Sequence, residues 1–275
     1  MRKLTGRELA AAIKTQTTAE VAGGPQPRLA VVVATDDEAS LWYVRSIAKA
    51  AAGVGIAADL VDLGPGARPE QIRETLARLS ADAGVHGVML QTPLPAGASA
   101  QELAAAIDPR KDVDGANPLS LGRLAAGLPA FVPATAAAVM ALLDHYGVEL
   151  EGRRAVVVGR STVVGKPLAH LLLDRNATVT VCHSRTRDLP SVTSTAEVLV
   201  AAVGRAGLIG AEHVAPGAVV IDVGTNPTDD GGLAGDVDFE AVAGRAEAVT
   251  PVPGGVGPVT TALLLRHTAR AANLP

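Results

Sequence analysis

The chain has 275 residues, 48% hydrophobic and 19% charged, which suits two globular domains of ordinary size and argues against disorder. A formal charge of −4 and a pI near 5.9 leave no basic surface for nucleic acid or an anionic membrane. No secretory signal or membrane-length apolar run is visible, and the single Cys182 allows no internal disulfide, so a cytoplasmic location is expected.

Strand-like apolar runs alternate with Ala/Leu-rich stretches of helical spacing along the whole chain. An opening helix is expected over Gly6–Ala22, then a strand at Leu29–Ala34, a helix at Glu38–Gly53 and a strand at Ala57–Asp62. A helix at Glu70–Ala83 and a strand at Gly87–Gln91 follow. The Gly- and Pro-rich segment Asp108–Pro133 shows no period, and the change of domain is placed there. A bridging helix, Ala136–Tyr146, leads to strands at Ala155–Val158, Val179–Cys182, Val198–Val203 and Val219–Val223, with a helix at Lys166–Arg175. Asp229–Gly232 reads as an exposed turn, and a last helix covers Pro258–Ala272. Alternation of this kind predicts an α/β protein with parallel sheets and helices on both faces.

The stretch from Ala155 to Pro167 is strand, tight turn, helix. Gly159 permits the sharp turn and Gly165 lets the helix approach the sheet, so the helix N-terminus can receive a pyrophosphate. Ser161 stands where the usual fingerprint has its middle glycine, so taken alone the motif is either a dinucleotide site or an ordinary strand-turn-helix. The next strand ends in Cys182-His183-Ser184-Arg185-Thr186, without the acid that binds an NAD ribose. Counting Arg160, hydroxyl and cationic groups gather there, which favours NADP and its 2′-phosphate; the alternative is that Arg185 is a solvated charge and His183 a packing residue.

Four further segments carry more rigidity or chemistry than a plain connection needs. Gln91-Thr92-Pro93-Leu94-Pro95 fixes the position of Gln91. Lys111-Asp112-Val113-Asp114-Gly115 sets two carboxylates on opposite sides of an extended segment, one free to pair with Lys111 and one to face a ligand. Ala39-Ser40-Leu41-Trp42-Tyr43 lies in or opens a helix, and Thr250 to Pro258 combines prolines with close-approach glycines. His86, His145, His170, His213 and His267 have no metal-ligand spacing, so no metal is expected.

Together, the segments 39–43, 91–95, 111–115, 159–167, 183–186, 217–224 and 250–260 resemble, in order and over nearly the whole chain, the methylenetetrahydrofolate dehydrogenase/cyclohydrolase family. The resemblance implies an N-terminal α/β domain (1–137), to which a final helix (258–275) returns, and a C-terminal NADP-binding Rossmann domain (138–257), with a folate-binding cleft between them. It also implies a homodimer. By position, Tyr43 would stack on the pterin, Gln91 would assist at the reacting centre, and Asp114 would bind the pterin's amino edge. Gly159, Arg160, Ser161, Gly165 and Ser184 match cofactor positions, and Pro251, Gly254 and Gly255 fall among the substrate-lining residues.

One departure changes the expected activity. The family places the lysine of its cyclohydrolase step four residues after the tyrosine, and here that position is Ile47, with Tyr43, Gly55 and Ile56 keeping the spacing. Lys49 is six residues from Tyr43 and falls on another helical face. Dehydrogenase activity with weak or absent hydrolysis is therefore expected. The alternatives are a fully bifunctional enzyme and a silent paralogue that only binds folate or nucleotide.

Overall fold

The computed structural model describes residues 1–228 and 230–274; Asp229 of the expected Asp229–Gly232 turn and the terminal Pro275 lie outside them. The chain forms two compact units, one of Met1–Ala10 with Thr135–Thr260, the other of Ala11–Ala134 with Thr261–Pro275. The first ten residues, expected with the N-terminal half, thus belong to the C-terminal unit. Their backbone explains it: Arg2–Lys3 adds a parallel strand to Ala248–Val249, and Gly6 donates to the Gly254 carbonyl at 2.8 Å.

The unit containing Ala11–Ala134 holds a three-stranded parallel sheet in the order Ala57–Asp62, Arg28–Val33, Gly87–Leu90. Arg28–Val33 (RLAVVV) is β-branched and buried from its second residue on, as expected of a central parallel strand covered on both faces. One face packs Leu29, Val31 and Val33 with Val44, Ile47 and Ala51 of the helix Glu38–Ala52. The other packs Ala30 and Val32 with Ile72 and Leu76 of the helix Pro69–Ala81. Because Arg28–Val33 pairs with a neighbour on each side, the chain diverges at its carboxyl end, where Ala34 and Gln91 emerge.

The other unit carries a six-stranded parallel sheet in the order Arg2–Lys3, Ala248–Val249, Val219–Asp222, Val198–Ala201, Arg154–Val158, Thr178–Cys182. Its core is Val, Ala and Leu with Cys182, which is buried. The strand Arg154–Val158 sits between Thr178–Cys182 and Val198–Ala201, so this sheet's crevice opens at Gly159 and Ala202. The unperiodic segment Asp108–Pro133 contains a helix, Pro118–Ala125, capped by Asn117, whose side chain accepts from Leu119 N at 2.7 Å. Among the described residues no helix is long and apolar enough to cross a membrane.

Candidate active site

The helix Glu38–Ala52 begins at the carboxyl end of the central strand of its unit. Thr35 Oγ1 accepts from Asp37 N, and the Asp37 carboxylate accepts from Ser40 N at 2.8 Å, fixing the first turn. Ser40 then donates its hydroxyl to the Thr92 carbonyl at 3.1 Å, which ties the helix to the loop that follows Gly87–Leu90. On that loop Gln91 is 9% exposed and donates Nε2 to the same Thr92 carbonyl at 2.5 Å. Its amide oxygen is not engaged by that bond and remains an acceptor.

One turn beyond Ser40 comes Tyr43, half-buried against the apolar cluster that holds Val44 and Ile47. Its phenol is pushed up to about 12 by burial and by the neighbouring Asp114, with a counteracting hydrogen bond from the Thr261 side chain. At neutral pH Tyr43 is therefore a neutral aromatic plate with a hydroxyl, not a base.

Asp114 is raised to about 7 by burial, and further by the nearby Asp112. The expected extended segment is instead a turn: Gly115 has φ +67°, and a Cβ there would overlap Pro133. Asp112 builds this turn. Fully buried, it accepts from Ala116 N, Asn117 N and the Ser120 hydroxyl, each at 2.9 Å. The expected pairing of a carboxylate with Lys111 is not made, because Lys111 Nζ reaches the Asp82 carbonyl at 2.6 Å. Asp112 is thus committed to the turn, and none of these three bonds goes to Asp114.

Two contributors escaped the sequence reading. Thr261 lies one residue past the motif that ends at Thr260, and only the fold brings it to Tyr43. His267 is 6% exposed and donates Nδ1–H to the Val113 carbonyl at 2.8 Å, since a carbonyl can only accept. Burial pulls its imidazole down to about 4, so it is neutral and holds the residue before Asp114.

At the other unit's crevice, a Cβ on Gly159 would overlap the Ala202 carbonyl and one on Gly165 the Gly159 carbonyl, so both positions demand glycine. Ser161 Oγ accepts from Val164 N at 3.1 Å, and no side chain caps the helix Gly165–Asp174 at Val164. Arg160 and Ser184 each lie two residues past the paired Val158 and Cys182 and are exposed. The turn between the second strand and its helix is built on polar groups: Thr186 Oγ1 accepts from His183 N and His183 Nδ1 from Arg185 N. A glycine turn before a helix N-terminus, and a cationic, hydroxyl-bearing turn whose only acid, Asp188, caps the next helix, fit a dinucleotide.

Pro251, Gly254 and Gly255 belong to this same unit, in the turn before the helix Val256–Ala272. Gly254 has φ +105°, a Cβ on Gly255 would overlap the Pro251 carbonyl, and one on Gly6 would overlap the Gly255 carbonyl. Tyr43, Asp114 and Thr261 are therefore brought together in one unit, with Gln91 beside them through Ser40 and Thr92. Pro251, Gly254, Gly255 and the cofactor-type residues lie in the other.

Comparison with known proteins adds independent information. Residues 4–114 match the model of the tetrahydrofolate dehydrogenase/cyclohydrolase catalytic domain, and residues 133–274 that of the NAD(P)-binding domain of the same family. The chain is 67% identical to a bifunctional FolD protein of Saccharopolyspora erythraea, over 98% of this chain and 94% of that one. Its fold is similar to the bifunctional FolD enzyme of Campylobacter jejuni, with a TM-score of 0.94 and 39% identity over 99% of both chains. It is also similar to the Trypanosoma brucei dehydrogenase-cyclohydrolase complexed with NADP and inhibitor, with a TM-score of 0.92 and 38% identity over 98% of this chain and 96% of that one.

Proposed function

Because this chain belongs to the tetrahydrofolate dehydrogenase/cyclohydrolase family, we propose that it oxidises 5,10-methylenetetrahydrofolate to the 5,10-methenyl form with NADP as acceptor, and hydrolyses the product weakly or not at all. The observation that carries the reading is the grouping of Tyr43, Asp114 and Thr261 beside Gln91, in a chain whose other half has a glycine turn shaped for phosphate.

Tyr43 offers the pterin a neutral aromatic face, and its high pKa keeps it so throughout the working pH range. Asp114, poised near 7, is held charged once it accepts hydrogen bonds from the pterin's amino edge. Gln91, fixed by its own donor bond, presents its amide oxygen to the carbon that gains positive charge as hydride departs. Gly159, Ser161 and Gly165 hold the pyrophosphate of NADP, and Arg160 with Ser184 takes the 2′-phosphate. When bound, NADP supplies the hydride acceptor; the protein supplies position and field.

Hydrolysis asks for more. Water must attack the methenyl carbon and a ring nitrogen must be protonated to leave, a step worth ~10²–10⁴-fold to a positioned acid or base. Ile47 stands at the family's lysine position, is fully buried and packs with Leu29 and Val44, so it offers neither proton nor charge. Lys49 is exposed, off that buried face.

A second reading, full bifunctionality, draws on Asp114 itself: a carboxyl raised to about 7 beside a phenol can relay protons at neutral pH. Its signature is enzymatic hydrolysis of the methenyl compound that follows a single ionisation near 7 and disappears in D114N.

The quaternary state proposed is a homodimer, and sedimentation of the purified protein reads it directly. The dehydrogenase assignment is tested by offering methylenetetrahydrofolate with NADP or NAD. NADPH should form, with NAD at least ~10-fold poorer because the second strand's turn lacks the ribose-binding acid. No reduction of either nucleotide would overturn it.

A further inference from the structure

We propose that Asp236 is a positioning residue for the dinucleotide: its carboxylate gathers the backbone amides of Val203, Gly204 and Arg205 and so shapes the lip of the crevice facing Gly159. The proposal rests on the NADP reading above and adds a residue to it.

The loop in question leaves the strand Val198–Ala201, next to the strand that ends in the glycine turn. Its first residue already touches that turn, since a Cβ on Gly159 would overlap the Ala202 carbonyl. Residues 202–205 therefore form the side of the crevice opposite Gly159–Gly165, where an open α/β sheet binds its ligand.

A residue far along the chain gathers this loop's amides: the Asp236 carboxylate accepts from Val203 N at 2.6 Å, Gly204 N at 3.0 Å and Arg205 N at 2.8 Å, and from Asn226 Nδ2 at 3.0 Å. Asp236 itself is fully buried, and the bonds it accepts are partly buried. Gly204, with φ +66°, lets three successive amides converge on one carboxylate.

Asp236 is itself held by a second buried carboxylate. Asp222, 3% exposed, accepts from Gly224 N and Asp236 N, each at 2.9 Å, and from Val237 N at 3.0 Å, while its own amide donates to Thr250 Oγ1 at 2.7 Å. A Cβ on Gly224 would overlap Asp236, and one on Gly235 would overlap Asp222. This clasp, made from four chain segments around two aspartates, is more than a surface loop requires. It sits at the carboxyl edge of the sheet, where the cofactor must be received.

The test is D236N, which keeps the shape but turns an NH2 toward amide donors. NADP affinity is read by calorimetric titration, alongside KM for each substrate, a thermal melt, and folate-analogue binding through the fluorescence of the single, exposed Trp42. Expected is an NADP Kd at least ~10-fold weaker, on the scale of one lost charged hydrogen bond, with KM for the folate and the Trp42 response within about threefold of wild type. Should D236N fail to fold, N226S removes one of the four donors and is expected to weaken NADP about threefold. A folded D236N (or, failing that, N226S) with wild-type NADP affinity, or with equal losses for both ligands, overturns the proposal. Wild-type protein that binds no NADP in the same titration overturns the cofactor assignment itself, and the positioning role with it.

Discussion

The proposed function turns on two side chains, the fully buried Ile47 and the Asp114 carboxyl raised by burial. Replacing Ile47→Lys should raise methenyltetrahydrofolate hydrolysis by at least ~10-fold while changing hydride transfer much less, because only hydrolysis needs the proton. A parallel Ile47→Met should change neither, and equal effects of the lysine on both steps would contradict the account. Asp114 carries the opposite kind of cost. Its native pKa, about 7 against an ordinary 3.8, means the folded protein holds a proton that the unfolded chain releases, so stability falls as pH rises from about 4 to 7 and stays lowered above. Asp114→Asn should therefore abolish turnover yet melt a few degrees higher than wild type at pH 8, with the gap closing toward pH 4. A variant that is less stable at pH 8 would show that Asp114 is a packing residue after all.

At the scale of elements, the site depends on how the ends of strands and helices are tied down. The helix Val256–Ala272 delivers His267, whose neutral ring holds the Val113 carbonyl. With a folded pKa near 4 against an ordinary 6.5, this group stabilises fully above pH 6.5 and loses its contribution as pH falls toward 4. His267→Leu leaves a buried carbonyl without its donor, at a cost of about 1–3 kcal/mol at pH 7.5, and the difference from wild type should shrink toward pH 5 in urea melts. Gly165→Ala tests the other unit: its Cβ collides with the Gly159 carbonyl, so NADP affinity should fall at least ~10-fold while folate-analogue binding is spared. The long strands and helices were legible because Val-rich runs and helical spacing are local signals, as in Arg28–Val33 and Glu38–Ala52. The helix Pro118–Ala125 was not, although Asn117-Pro118 is a cap followed by a favoured first residue, because eight residues give too little period to see. Tyr43, Gln91 and Asp114 could be named from motifs. Thr261, His267 and the Asp222–Asp236 clasp could not, since their partners lie far away along the chain and only the fold supplies them.

For the whole molecule, two parallel sheets each open a crevice where the chain order diverges, one beside Gln91 and the other beside Gly159. One unit holds the Tyr43 ring and the raised Asp114 carboxyl, the other a tight glycine turn at Gly159 and the polar turn of residues 183–188. Under the proposed function, that division of labour suits hydride transfer from a reduced folate to a dinucleotide, and Ile47 leaves the hydrolysis step without a proton donor at that position. The measurement that bears most directly on this is a single progress curve with purified protein, methylenetetrahydrofolate and NADP, following NADPH and methenyltetrahydrofolate together by absorbance. The account predicts that NADPH forms and methenyltetrahydrofolate accumulates with it, decaying no faster than in buffer alone. NADPH formation without accumulation of the methenyl compound, or no NADPH at all, would contradict it.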